Sequence, residues 1–84
     1  MQVGGVVDEA IRSIVAMHGR VTRPIAEIAG GDDLYALGLT SHAAVNVMLA
    51  IEDRFMIEFP DSVMTKNTFG TLDSLAATVR ALVG

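Results

Sequence analysis

Ser41 and His42 are adjacent, and a pair of carboxylates, Glu52 and Asp53, follows about three helical turns later. A serine beside a histidine raises the chemistry of acyl transfer, in which an imidazole activates a hydroxyl. On a helix, though, residues i and i+1 do not face one another. No carboxylate or oxyanion donor is evident to complete the arrangement, so a small hydrolase built on Ser41 is the remotest reading. His18 and His42 stand too far apart in the chain to suggest a metal centre. The chain has no cysteine, which excludes disulfides and thiolate catalysis and makes a reducing cytoplasm the expected setting. What remains for Ser41 is attachment. A hydroxyl displayed at a helix start, in a small acidic chain with no other reactive chemistry, suits a place to attach something rather than to catalyse. The protein is expected not to be an enzyme.

The elements that position Ser41 follow from periodicity. Val3, Val7, Ala10, Ile11, Ile14 and Val15 recur at three- and four-residue spacing and predict a first amphipathic helix. Asp8 and Glu9 lie toward its start, and Gly19 is a natural stop. Arg20 to Leu39 contains Pro24, Gly30, Gly31 and Gly38 and reads as a long loop pinned by Ile25, Ile28, Leu34 and Leu37. Connections of this length are usually functional. The second helix is expected from Ser41 to Phe55 or Met56, capped by the Thr40 hydroxyl. Its inner stripe is Ala44, Val47, Met48, Ile51 and Phe55.

The other side of that helix gathers His42, Val45, Asn46, Leu49, Glu52 and Asp53. A plain solvated face would be polar throughout. Apolar residues flanked by carboxylates suit a partner-docking surface, although Val45 and Leu49 would equally serve to widen the core stripe or touch the loop. Pro60 blocks continuation. Residues 62–69 are expected to hold one or two helical turns anchored by Val63, Met64 and Phe69. A last helix from about Thr71 carries Leu72, Leu75, Ala76, Val79 and Leu82 or Val83 inward and ends at Gly84. The sum is an all-α bundle of three main helices plus one short helix, with a long loop between the first and second.

Composition agrees. In 84 residues, 51% are hydrophobic and only 5% aromatic, so the core is aliphatic, and one domain spanning residues 1–84 is expected. The net charge of −4 argues against nucleic acid, whose phosphates require clustered Lys and Arg. It suits basic patches on protein partners instead. No stretch approaches the ~20 apolar residues of a membrane span.

From Asp33 to Asp61 the chain resembles the core of an acyl carrier protein, and its length and helix order are similar throughout. That family's signature is Gly-x-Asp-Ser-Leu, then Glu-x-x-Phe-x-Ile-x-x-Pro-Asp. Here Gly38-Leu39-Thr40-Ser41-His42 is followed in the same register by Glu52-Asp53-Arg54-Phe55-Met56-Ile57-Glu58-Phe59-Pro60-Asp61. Thr40 replaces the usual aspartate, keeping a cap but removing a carboxylate, and His42 replaces the usual leucine. Gly-Leu-Thr-Ser, with Asp33-Leu34-Tyr35-Ala36 upstream, is also similar to a bacterial subgroup, the aminoacyl carrier proteins. Asp73-Ser74-Leu75 spells the consensus triplet literally, but no helix and no Phe-x-Ile-x-x-Pro-Asp segment follow it. Ser74 is therefore expected to be a structural first-turn residue.

The resemblance implies a carrier fold with 4′-phosphopantetheine placed on Ser41 by a phosphopantetheinyl transferase using coenzyme A. It implies a thioester-bound acyl or aminoacyl cargo, loaded by a ligase and passed to downstream transferases. A monomer is expected. The competing reading is an unmodified helical interaction module that keeps the fold without the arm, which the changes at Thr40 and His42 permit.

Overall fold

The computed structural model describes residues 3–83. Its helices are α1 (Val3–His18), α2 (Ser41–Phe55), the single turn α3 (Lys66–Phe69) and α4 (Leu72–Val83), with 3₁₀ turns at Ile25–Glu27 and Asp61–Val63. Among the described residues there is no strand, and the all-α bundle stands as the periodicity predicted. The side chain of Val3 and residue Gly84, both expected to belong to the terminal helices, lie outside the described residues.

The aliphatic stripes meet as their spacing requires. Val7, Ile11, Ile14 and Val15 of α1 are buried in one core with Ala43, Ala44, Val47 and Ile51 of α2 and Leu72, Leu75, Ala76 and Val79 of α4, and Ala10 is buried as well. Each fully buried Val, Leu or Ile contributes about 1.5–3 kcal/mol. Ala43 and Ala44, consecutive in the first turn of α2, let that helix start lie close to its neighbours.

Two details depart from expectation. Asp8 and Glu9 lie beyond the first turn of α1, where the dipole has faded. Asp8 pairs instead with Arg80 at 3.0 Å, an exposed contact worth at most about 1 kcal/mol. Met64, expected as a core anchor, is 45% exposed. The anchor of that segment is an aromatic pair, buried Phe59 and Phe69, whose rings stack with centroids 5.8 Å apart. α1 stops at His18, directly before Gly19 as expected, and Arg20 then takes the left-handed backbone, with φ of 55°.

The long connection between α1 and α2 is ordered by a few long-range ties. Ile28 and Leu34 are buried, and Arg12 of α1 reaches across to donate from Nη1 to the carbonyls of Ile25 at 3.0 Å and Ile28 at 2.8 Å. The Leu34 N–H donates to the Gly70 carbonyl (2.8 Å), and the Asp73 N–H donates to the Gly30 carbonyl (3.0 Å). Both bonds dock the loop where α3 ends and α4 starts. Gly38 adopts φ of +111°, a conformation that side chains avoid, and a Cβ there would crowd Thr22 Cγ2 at 3.2 Å. That turn delivers the chain to Thr40 and Ser41.

At its other end, α2 stops at Met56, which takes the left-handed C-cap conformation with φ of 56° and is 86% exposed. Glycine is the residue this position favours. Met56→Gly is therefore expected to raise unfolding free energy by about 1 kcal/mol, since little burial is lost and backbone strain is relieved. Denaturant melts check this, with an unchanged or lower midpoint contradicting it. Arg12→Ala is expected to cost about 2 kcal/mol by removing a charged donor from two carbonyls. A loss under about 0.5 kcal/mol would show that burial of Ile28 and Leu34 holds the loop without it.

Candidate functional site: the start and outer face of α2

Thr40 sits in extended backbone just before α2 and accepts a hydrogen bond on Oγ1 from the Ala43 N–H at 3.0 Å. The Ala44 N–H already reaches the Thr40 carbonyl at 2.8 Å. The cap thus satisfies the third N–H of the helix, while the first two, on Ser41 and His42, have no helical acceptor. Both residues are exposed, and the first turn of α2 holds no acidic side chain. An anion bonded to the Ser41 hydroxyl would meet free donors and the positive end of a 15-residue helix.

Ser74 presents the opposite case. Its Oγ donates toward the Thr68 carbonyl (2.8 Å) and the Thr71 carbonyl (3.0 Å), and accepts from the Thr71 hydroxyl at 2.9 Å. The Ser74 N–H donates to Thr71 Oγ1 at 3.0 Å while the Thr71 N–H donates to Ser74 Oγ at 3.3 Å. This is a reciprocal cap in which Ser74 plays the part usually taken by Glu or Gln. Its hydroxyl ties α3 to α4 and is half-buried; Ser41, exposed, enters none of these bonds.

A cleft of about 500 Å³ opens beside Ser41. The loop end contributes Tyr35, Leu39 and Thr40, α2 contributes Ser41, Ala44, Val45 and Met48, and the segment through α3 contributes Met64, Thr65, Lys66 and Phe69. Lys66 lies over the Tyr35 ring, with Nζ 5.1 Å from its centroid. Burial, reinforced by the nearby Asp33 carboxylate, raises the Tyr35 phenol above its ordinary value. The ring therefore stays neutral across the physiological range. In the sequence, Tyr35 stands out only as part of the Asp-Leu-Tyr-Ala run. Lys66 carries no local signal at all, because only the packing of α3 brings it to this cleft.

The outer face of α2 is arranged largely as its periodicity suggested. Val45 is 49% and Leu49 53% exposed, so neither widens the core. His42 and Asp53 are exposed and Asn46 is half-buried. Glu52 is half-buried because it braces the backbone beyond the helix, where its Oε2 accepts the Phe59 N–H at 2.8 Å. Further along, Glu52, Asp53, Met56, Ile57 and Glu58 line a shallow acidic and apolar depression. Among the described residues no group of acidic or histidine side chains could hold a metal ion, and no helix is long and apolar enough to cross a membrane.

Comparison with known proteins identifies the family. Residues 10–79 match the family described as phosphopantetheine attachment site. The chain is 39% identical over 77 residues to the aminoacyl carrier protein of Agrobacterium fabrum strain C58, covering 92% of this chain and 93% of that protein. It also superposes, with a TM-score of 0.86 and 39% identity, on a chain in the crystal structure of an engineered Bradyrhizobium japonicum glycine:[carrier protein] ligase complexed with carrier protein from Agrobacterium tumefaciens and ATP. That match spans 90% of this chain and 99% of the other. The corresponding figures are 0.74 and 26%, over 87% and 97% of the two chains, for a chain in the Bradyrhizobium japonicum ligase complexed with glycylated carrier protein. The chain therefore belongs to the phosphopantetheine-bearing carrier proteins, non-enzymatic helical proteins that hold acyl or aminoacyl groups on a covalent 4′-phosphopantetheine arm.

Proposed function

We propose that Ser41 is the attachment point, and that this chain is an aminoacyl carrier whose 84 residues form one carrier domain acting as a monomer in the cytoplasm. The observation that carries the assignment is the contrast between two serines. Ser41 is exposed beside two free backbone donors, whereas the Ser74 hydroxyl is consumed by its own cap. A phosphopantetheinyl transferase would take Ser41 Oγ as the nucleophile. A P–O bond to that oxygen would replace the pyrophosphate P–O bond of coenzyme A, the nucleotide half would leave with the bridging oxygen, and the hydroxyl proton would pass to the transferase. When bound, the arm supplies a terminal thiol, the nucleophile that a cysteine-free chain lacks. The free N–H groups of Ser41 and His42 would hold the phosphodiester at the helix start.

Similarity to carriers solved with a glycine:[carrier protein] ligase supports an amino acid as cargo and a related ligase as loader. His42, Val45, Asn46, Leu49, Glu52 and Asp53 form the surface offered to that ligase and to the enzymes that accept the cargo. Val45 and Leu49 supply apolar area, while Asp53 and the rim of the depression below it supply negative charge for a basic partner.

Intact-mass measurement with coenzyme A and a broad-specificity transferase tests the attachment point. Wild type and Ser74→Ala are expected to gain one phosphopantetheine each, and Ser41→Ala none. Ser74→Ala should melt at lower denaturant, by about 1–2 kcal/mol, because it unties a cap. Modification that survives Ser41→Ala but not Ser74→Ala would overturn the assignment. For the docking surface, Leu49→Ser is expected to lower kcat/KM for ligase charging of the holo protein by about tenfold, the effect of one central interface side chain. Its stability should stay within about 0.5 kcal/mol of wild type, since Leu49 is already exposed. Undiminished charging would place the ligase elsewhere on the molecule.

A further inference from the structure

The cleft beside Ser41 has an uneven distribution of charge. Its walls are built from apolar and hydroxyl side chains, and among the residues that line it only Lys66 carries a charge. This is notable in a chain with 10 acidic and 6 basic residues. No carboxylate stands in the first turn of α2 to compete for the ammonium, because Thr40 caps that helix with a hydroxyl. Asp33, two residues before Tyr35, directs Oδ1 to the backbone N–H groups of Tyr35 and Ala36, at 3.0 and 3.3 Å. Lys66 itself is exposed and rests on the face of the Tyr35 ring, an attraction to a quadrupole rather than to a full charge.

We infer that Lys66 is a positioning residue for the arm on Ser41: its ammonium pairs with the phosphodiester and draws the arm across this cleft rather than leaving it free in solvent. The inference rests on the attachment of the arm at Ser41. A phosphodiester on that residue places a permanent negative charge at the edge of the cleft that Lys66 also lines. Exchange of a ring face for an anion favours the ammonium, and the flexible four-carbon stem of lysine permits the move. The neutral Tyr35 ring then remains as a flat wall along which the stem lies. Because the pair is at the surface, it biases the path of the arm without locking it, which suits an arm that must be released to successive enzymes.

Amide shifts in ¹H–¹⁵N spectra of the apo and holo forms test this. In wild type, conversion to holo protein is expected to move the amides of residues 65–69 as well as those around Ser41. In Lys66→Gln the shifts at residues 65–69 should fall by about threefold, while Lys66→Arg, which keeps the charge, should retain them. High salt should diminish them in wild type. Shifts confined to the neighbourhood of Ser41 in wild type, or equal shifts in wild type and Lys66→Gln, would overturn the pairing. Intact mass separates the two readings. A full adduct on Ser41 with no response at residues 65–69 removes Lys66 alone, and absence of any adduct on wild type removes the attachment point as well. Circular dichroism of Lys66→Gln checks that α3 and the bundle remain folded.

Discussion

Leu34 is fully buried in the middle of the connection between α1 and α2, and its backbone binds that connection in two directions. Its N–H reaches the Gly70 carbonyl at the end of α3, and its own carbonyl accepts from Leu37 and Leu39, each at 3.0 Å. Ordering a loop of this length costs roughly 1–2 kcal/mol of backbone entropy per residue. Burial of Leu34, Ile28 and Leu39, with the Arg12 bonds to the Ile25 and Ile28 carbonyls, works against that cost. The loop is therefore part of the core rather than a tether. Without that anchoring, the left-handed turn at Gly38 would not bring Thr40 and Ser41 to the same place each time.

Given a fixed entry, α2 acts as a platform with different chemistry along its length. Its start offers an exposed hydroxyl and unpaired donors, its outer side offers Val45 and Leu49, and its end offers carboxylates. Glu52 links this outer face to the interior. One of its oxygens accepts the Phe59 N–H, and Phe59 stacks on Phe69, which in turn lines the cleft beside Ser41. The return of the chain after Pro60 thus forms the wall across from the serine. A carrier needs a rigid base beneath a movable group, and these contacts provide one.

The two serines show how context divides identical side chains. Each lies in the first turn of a helix after a threonine cap, and the triplet around Ser74 is closer to the family consensus than the one around Ser41. Thr71 precedes Ser74 by three residues, so the two exchange backbone and hydroxyl bonds in a closed pair. Thr40 directly precedes Ser41, and its hydroxyl reaches past it to Ala43. Spacing by three closes a cap and uses the hydroxyl; spacing by one leaves it free.

The amino-acid sequence by itself determined the helices, their inner stripes, the cap at Thr40 and the family resemblance, and it marked Ser74 as a structural first-turn residue. These depend on local periodicity, hydrogen-bonding reach and short motifs. It also suggested the outer face of α2, but whether Val45 and Leu49 faced solvent depended on how close the loop and α3 came. Only the tertiary structure decided that, and with it the Phe59–Phe69 stack in place of Met64, the tie of Glu52 to Phe59, and the cleft that sets Lys66 beside Tyr35 and Ser41. Each of these joins residues separated by several turns or by the whole of α2. No local pattern encodes such a distance, because it is set by the packing of helices around a shared core.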